Sequence, residues 1–376
     1  MTKMRVADGF FGEMTEAWEK FHAITFYGGN INALYNPQAA VKQPEIKEYL
    51  KCNGAREIKM RPYGEYTRSV DFEVDGEKVT FTVSVLSAGK DNSTESKGEY
   101  SLGILNSCIQ FSFETAQGFD KIEKYYKIAR RLVAILTSQN NVSFDVYISQ
   151  RTLEGKYIKT GICKIFNPYA NYSKRKCHKV IPIWNVLDYV PKLINAIMQG
   201  SADSLIDLLP KDNRDVNRIS ITNVQDLCTA LEVAYRQGEK RAREKDNLIK
   251  ELKENIKETI TKFLESHAEI DVNKETNIKS AFDYLDFTLK QRILTLYNEN
   301  HSIVDEIISK CSLPQVNEDS IASFVKLRDN RTHSGTTEWG DSARLYTAMF
   351  ALVYACFFRT LGLSDETITS MLLQIF

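Results

Sequence analysis

The chain has 376 residues, 43% hydrophobic and 26% charged, which describes an ordinary folded protein too long for one hydrophobic core, so two domains are expected. Its 49 Lys and Arg balance 49 Asp and Glu, which excludes a chain-wide field for polyanions and leaves only local patches for such partners. Seven scattered cysteines without a CxxC pair argue against a disulfide framework or a zinc site, the start of the chain lacks the apolar run of a signal peptide, and the longest apolar stretch, Ala348 to Phe358, is too short to cross a bilayer. A soluble, cytoplasmic protein with no membrane partner is the expectation.

The first half has the period of strands. Val70, Phe72 and Val74 alternate with polar residues, Asp75-Gly76 follows, and Val79, Phe81 and Val83 alternate again. Asp-Gly suits a two-residue type I′ turn, which sets Val74 opposite Glu77, Phe72 opposite Val79 and Val70 opposite Phe81. Further alternation appears at Ile109/Phe111/Phe113 and at Val142/Phe144/Val146/Ile148. Between them Phe119, Ile122, Tyr125, Ala129, Leu132, Val133 and Leu136 fall at helical spacing. The polar segment Ala88 to Gly98 reads as an exposed loop.

Past residue 180 the period becomes helical. Ile183 to Leu209 reads as helix with a break at Pro191, and Pro210 to Arg218 as the linker. Leu227, Leu231, Ala234 and Tyr235 begin a long helix continuing through Leu248 to Leu264. A second runs from Ile278 to Leu296, and a short third covers Ile303 to Cys311. Asn317 has the chemistry of an N-cap for a fourth, Glu318 to about Arg331, Asp341 for a fifth ending near Gly362, and Ser364 for a last one, Asp365 to Phe376. The fold class is therefore α+β. A β-rich domain with one long helix and a joining helix spans 1–209, and an all-α bundle spans 220–376.

Of the five histidines, at 22, 178, 267, 301 and 333, His333 has the richest setting, ending Arg328-Asp-Asn-Arg-Thr-His. Histidine titrates near neutrality, so it can take or give a proton. A guanidinium answers phosphate charge with paired hydrogen bonds, which a lysine cannot. Asp329 can orient Arg328 or His333. Arg-x4-His alone is a weak pattern, and the pair is also readable as a helix end held by two cations. The mixed charges of Arg236 to Lys257 read as a solvated helix face, and the basic cluster Lys174 to Lys179 equally as a solvated loop or a phosphate contact. Cys177-His178 lacks a second ligand pair.

FVKLRDNRTH resembles the motif of HEPN domains, most closely those of the Apea-like abortive-infection group. LCTALEVAYR, with Glu232, is similar to that group's first helix. FDKIEKYYKIARRLVAILTS resembles part of its upstream domain, and IPIWNVLDYVPKLINAIMQ the joining segment. At the position where many members carry Asn this chain has Asp329.

The resemblance implies an anti-phage or toxin-type endoribonuclease that needs no metal or other cofactor. Its catalytic residues would be Arg328, Asp329 and His333, with Arg331, Thr332 and Glu232 binding RNA. It also implies a homodimer whose two motifs share a cleft, and an N-terminal domain that senses a phage-derived or other trigger. Residues five apart on a helix lie about 140° apart around its axis, so one chain alone supplies a poor phosphate site unless the helix frays near Thr332. The helices Glu318–Arg331 and Asp341–Leu361 are expected to contribute the dimer interface through apolar residues such as Phe324, Leu345, Met349 and Leu352, some of which must be core. Two other readings remain open: a non-catalytic HEPN interaction module, and a carbohydrate-binding N-terminal domain with the helices as scaffold.

Overall fold

The computed structural model describes residues 4–7, 16–42, 59–88, 104–165, 179–211, 219–238, 246–267, 288–334 and 342–376. The fold is α+β. The chain divides into two compact units, one of residues Met1–Arg218 with Ser370–Ile375, the other of Ile219–Thr369 with Phe376.

The first unit contains β1 (Met4–Ala7), β2 (Lys20–Tyr27), β3 (Val41–Lys42), β4 (Lys59–Met60), β5 (Arg68–Val74), β6 (Glu77–Ala88), β7 (Ile104–Gly118), β8 (Asp145–Arg151) and β9 (Tyr157–Ile165). Seven of these form an antiparallel sheet in the order β1-β9-β8-β2-β7-β6-β5, and β3 pairs with β4 apart from it. Its helices are α1 (Gly29–Leu34), α2 (Tyr63–Tyr66), α3 (Lys121–Thr137), α4 (Val190–Met198) and α5 (Asp203–Leu208).

The β5–β6 hairpin has the register that its turn dictates, with Val70 opposite Phe81, Phe72 opposite Val79 and Val74 opposite Glu77. Asp75 and Gly76 take φ angles of 52° and 80°, the left-handed pair that a type I′ turn requires. Register then carries the pattern across five strands. Val70, Phe81, Phe111, Ile24 and Ile148 stand opposite one another in sequence, one apolar row from β5 to β8. Against this face packs α3, whose Ile122, Tyr125, Ala129, Leu132, Val133 and Leu136 are buried. The Tyr125 ring lies 5.3 Å from that of Phe111 and 4.8 Å from that of Phe113. Phe119 precedes the helix and meets Trp18 edge-on at 5.5 Å. The helices α1, α4 and α5 pack against α3, and α1 and α4 also touch strands of the sheet.

The opposite face of the sheet is polar by the same alternation. Thr82, Gln110, Thr25 and Tyr147 form one row, and Asp71, Thr80, Ser112, Ala23 and Ser149 the next. Pro191 does not break a helix in the joining segment. It occupies the first turn of α4, where its missing N–H is no loss, and two 3-10 turns, Ile183–Asn185 and Leu187–Tyr189, come before it.

The second unit comprises α6 (Ile221–Gln237), α7 (Asp246–Glu265), α8 (Leu289–Cys311), α9 (Glu318–Ser334) and α10 (Ser342–Thr360), with the first part of α11 (Asp365–Leu372), whose residues from Ser370 on fall in the first unit. Ser220 starts α6 through a capping box with Asn223, and Thr288 starts α8 through one with Gln291. These caps correct two expected boundaries. The long helix from Leu227 ends at Gln237, and a separate helix, α7, begins at Asp246. The expected second and short third helices are continuous from Leu289 to Cys311, because the polar run Asn298 to Ser302 contains no Gly or Pro to interrupt it. Asn317 caps α9, its Oδ1 accepting from the Ser320 amide at 2.9 Å. The helix α9 reaches Ser334, three residues beyond the expected end.

The element α10 is buried all round, with Ala348 through Phe358 below one tenth exposure, and α6, α8 and α9 pack against it. That burial corrects the expected dimer interface. Phe324, Leu345, Met349 and Leu352 are 0%, 4%, 0% and 0% exposed within a single chain, so their apolar surface is already spent on the bundle's own core. Among the described residues no helix is long and apolar enough to cross a membrane. The loop residues 89–98 and the cluster 174–178 lie outside the described residues.

Burial pushes the thiols of Cys108 and Cys228 up to about 12 from the ordinary 9.0. Both stay protonated in the fold where an unfolded chain would ionise, so the stability they carry is present below pH 9 and lost as pH rises beyond it. The urea midpoint, measured by circular dichroism, should fall progressively from pH 9 towards 11, with no matching loss between pH 7 and 8.5. A flat profile would show that these thiols are solvated.

Candidate functional site

The motif helix α9 buries Ile321, Phe324 and Leu327 at steps of three. Arg328 follows the last of these and so emerges at the rim of the core, its side chain 31% exposed. Asp329 Oδ1 accepts from Arg328 Nε at 2.9 Å and lies 2.9 Å from Nη2, which fixes the plane of the guanidinium. Arg328 is one of the two partners expected for Asp329, and the side chain of the other, His333, lies outside the described residues.

Beside this pair stands α6. Its Cys228 is buried, and the thiol is pushed up by burial first, with Arg328 acting against the shift and Asp329 and Glu232 adding to it. Cys228 thus feels charges carried by both α6 and α9, which pack against each other. Glu232 lies one turn beyond Cys228 on α6. Its Oε1 stands 3.8 Å from Nη1 of Arg292 on α8, whose side chain is only 13% exposed. The Arg292 guanidinium also sits over the Tyr235 ring, 5.8 Å from its centre. Glu232 of α6 and Arg292 of α8 are thus paired with each other, and Arg328 and Asp329 are paired on α9, a helix that packs against both α6 and α8.

His333, Arg331 and Thr332 lie on the last turn of α9, and only their backbone is described. The backbone of α9 is helical through Ser334, so positions 328 and 333 lie about 140° apart around its axis. The other described histidines have local partners. His22 Nδ1 accepts from the Arg151 amide at 3.2 Å, His267 stacks on Phe263 at 4.2 Å, and His301 Nδ1 stands 2.8 Å from the Asn298 carbonyl. Among the described residues no three His, Cys, Asp or Glu side chains are grouped to hold a metal ion.

Arg292, Tyr235 and Cys228 did not stand out in the sequence. A signal for Arg292 existed: it lies beside Ile293, three residues after Leu289 and four before Leu296, on the flank of a core stripe where a cation needs a partner. Comparison of the chain with models of protein families, with curated proteins and with solved structures returned no match.

Replacing Arg292 by Met removes the cation and leaves the Glu232 carboxylate facing an apolar side chain. The expected effect is a loss of about 1–3 kcal/mol, read as a lowered urea midpoint, with Arg292→Lys losing less. An unchanged midpoint in Arg292→Met would reduce this ion pair to a solvent-screened contact.

Proposed function

We propose that the helical unit is a metal-independent endoribonuclease of the HEPN type, acting as a cytoplasmic homodimer with an anti-phage or toxin role. The observation that carries this reading is the Arg328 guanidinium, locked in plane by Asp329 at the rim of the core. A locked guanidinium suits a phosphate because both hydrogen bonds form with little further loss of side-chain freedom.

The chemistry asked of the motif is short. A base removes the proton from the 2′-OH of RNA, the O2′–P bond forms, and the P–O5′ bond breaks. The leaving 5′ oxygen takes up a proton, and a 2′,3′-cyclic phosphate remains on the upstream fragment. His333 supplies the proton transfer and Arg328 the positive charge opposite the phosphorane. Asp329 positions Arg328. Arg331, Thr332 and Glu232 are assigned to holding the RNA, and the requirement for a 2′-OH restricts the substrate to RNA. Since Arg328 and His333 diverge on a continuous helix, the reading takes one Arg and one His from different chains of a twofold dimer.

Purified chain and His333→Ala are to be compared on a labelled single-stranded RNA and on the same strand with 2′-deoxy nucleotides. The substitution should lower the cleavage rate by about 100-fold or more, EDTA should leave the wild-type rate unchanged, and the deoxy strand should stay intact. Equal cleavage by wild type and His333→Ala removes the catalytic reading, and an inert wild type favours a non-catalytic interaction module instead.

The dimer has its own consequence. Arg328→Ala and His333→Ala chains, each inactive alone, should regain part of the wild-type rate when mixed, because a mixed dimer retains one intact Arg–His pair. No recovery in a mixture shown by mass to contain hetero-dimers would place both groups in one chain.

A further inference from the structure

We propose that the polar face of the first unit's sheet is a binding site for a neutral saccharide, seated in the groove between Asp71, Lys78, Glu114, Arg151 and Tyr157. The groove measures about 330 Å³, at the lower end of the range for small-molecule sites.

Register builds it. Asp71 stands opposite Thr80 and Thr80 opposite Ser112, while Arg151 stands opposite Tyr157 on the far side of β2. Between these two halves the row passes through Ala23, which separates Ser112 from Ser149 with a single methyl. The pairing of β2 with β7 shifts between Phe21 and Ala23. Across that irregularity Arg151 Nη2 donates to the Glu114 carbonyl at 2.9 Å and ties the two halves together. Irregular pairing of this kind re-aims side chains and recurs beside binding sites.

Three properties select the ligand. The groove's charges are two carboxylates and two cations, with Lys78 Nζ 3.4 Å from Glu114 Oε1, so there is no net field to draw a phosphate or a polycation. Its polar groups mix kinds: the Asp71 and Glu114 carboxylates accept, Arg151 and Lys78 donate, and the Thr80 and Ser112 hydroxyls, whose protons go to Asp71 and to the Thr80 carbonyl, accept. Thr80 Oγ1 already donates to Asp71 Oδ1 at 2.6 Å, which holds that carboxylate in place with acceptor sites to spare. A ligand dense in hydroxyls uses such a mixture in full, because each hydroxyl donates once and accepts twice. The third property is the Tyr157 ring, 44% exposed at the rim, a flat apolar surface for the C–H face of a sugar ring.

The site stands apart from RNA cleavage by the second unit, and its test reads binding alone. Full-length chain is to be screened on an array of neutral, sialylated and sulfated oligosaccharides, and the best neutral glycan titrated by calorimetry. Tyr157→Ala and the near-isosteric Asp71→Asn should each weaken that glycan by about tenfold or more. Tyr63→Ala, which removes an exposed tyrosine outside the groove, should leave it unchanged. The assignment is overturned by absence of binding to every neutral glycan, by binding confined to the acidic ones, or by binding that both groove substitutions leave intact.

Discussion

Along β6, β7 and β2 each side chain goes either to the face that α3 covers or to the face away from it, so a slip of one residue would exchange Phe81, Phe111 and Ile24 for Thr82, Gln110 and Thr25. Each large apolar side chain moved out of that interface into water costs about 1.5–3 kcal/mol, so several moved together would cost an amount comparable with the whole net stability of an ordinary domain. Hydrophobic register under α3 is thus the constraint from which the rest of the first unit follows. The Asp75-Gly76 turn sets it at one edge, and the cross-strand ring contacts of Phe111 with Phe26 and Phe81 hold it in the middle. The polar face is its complement. Its hydroxyl and charged rows lie where they do because the apolar rows must lie under α3.

The helical unit answers to a comparable demand from a different element. A helix that is apolar on every side, as α10 is from Ala348 to Phe358, has to be enclosed, and α6, α8 and α9 enclose it. Charges are then confined to the seams between the enclosing helices. Arg328 follows Leu327, Glu232 follows Leu231 and Arg292 precedes Ile293, so each charged residue is anchored by a core neighbour. Packing that fixes the core side chains therefore limits how far the charged ones can move, which is the condition a binding or catalytic group needs.

How much of this could be read from residues alone depended on how many sides of an element are buried. The β5–β6 hairpin was legible to the register, because one face is apolar, the other polar, and the turn residues are specific. Its neighbour β2 was not. Lys20–Tyr27 is buried along six consecutive residues, Phe21 to Phe26, so a central strand loses the alternation by which strands are recognised. Caps at Asn317 and Ser364 were legible, their side chains accepting from the Ser320 and Thr367 amides. That at Thr288 went unread because Ile278 to Leu296 keep helical spacing in the sequence on both sides of it. At the candidate site Arg328 and Asp329 stood out through their spacing to His333. Arg292 comes from a helix distant in sequence, and only the fold brings it beside Glu232.

The spacing of the motif carries its own consequence. Had Arg and His been four residues apart, they would share one face of α9, and a single chain could present both to one phosphate. At five apart on a helix that continues to Ser334, the backbone turns them away from each other, and Asp329 draws the guanidinium along its own side of the axis. Bending the helix to reunite them would break hydrogen bonds in the turn between Arg328 and His333, each worth about 1 kcal/mol. A second copy of the chain brings the two groups together without that loss. The five-residue interval is therefore better suited to a shared site than to a self-contained one, provided that the phosphate lies on the twofold axis or close to it. On this argument the identity of the residue after Arg328 also acquires a reason. In the proposed dimer, a carboxylate at 329 would hold the arginine on its own side of the helix and leave it available to the histidine of the other chain.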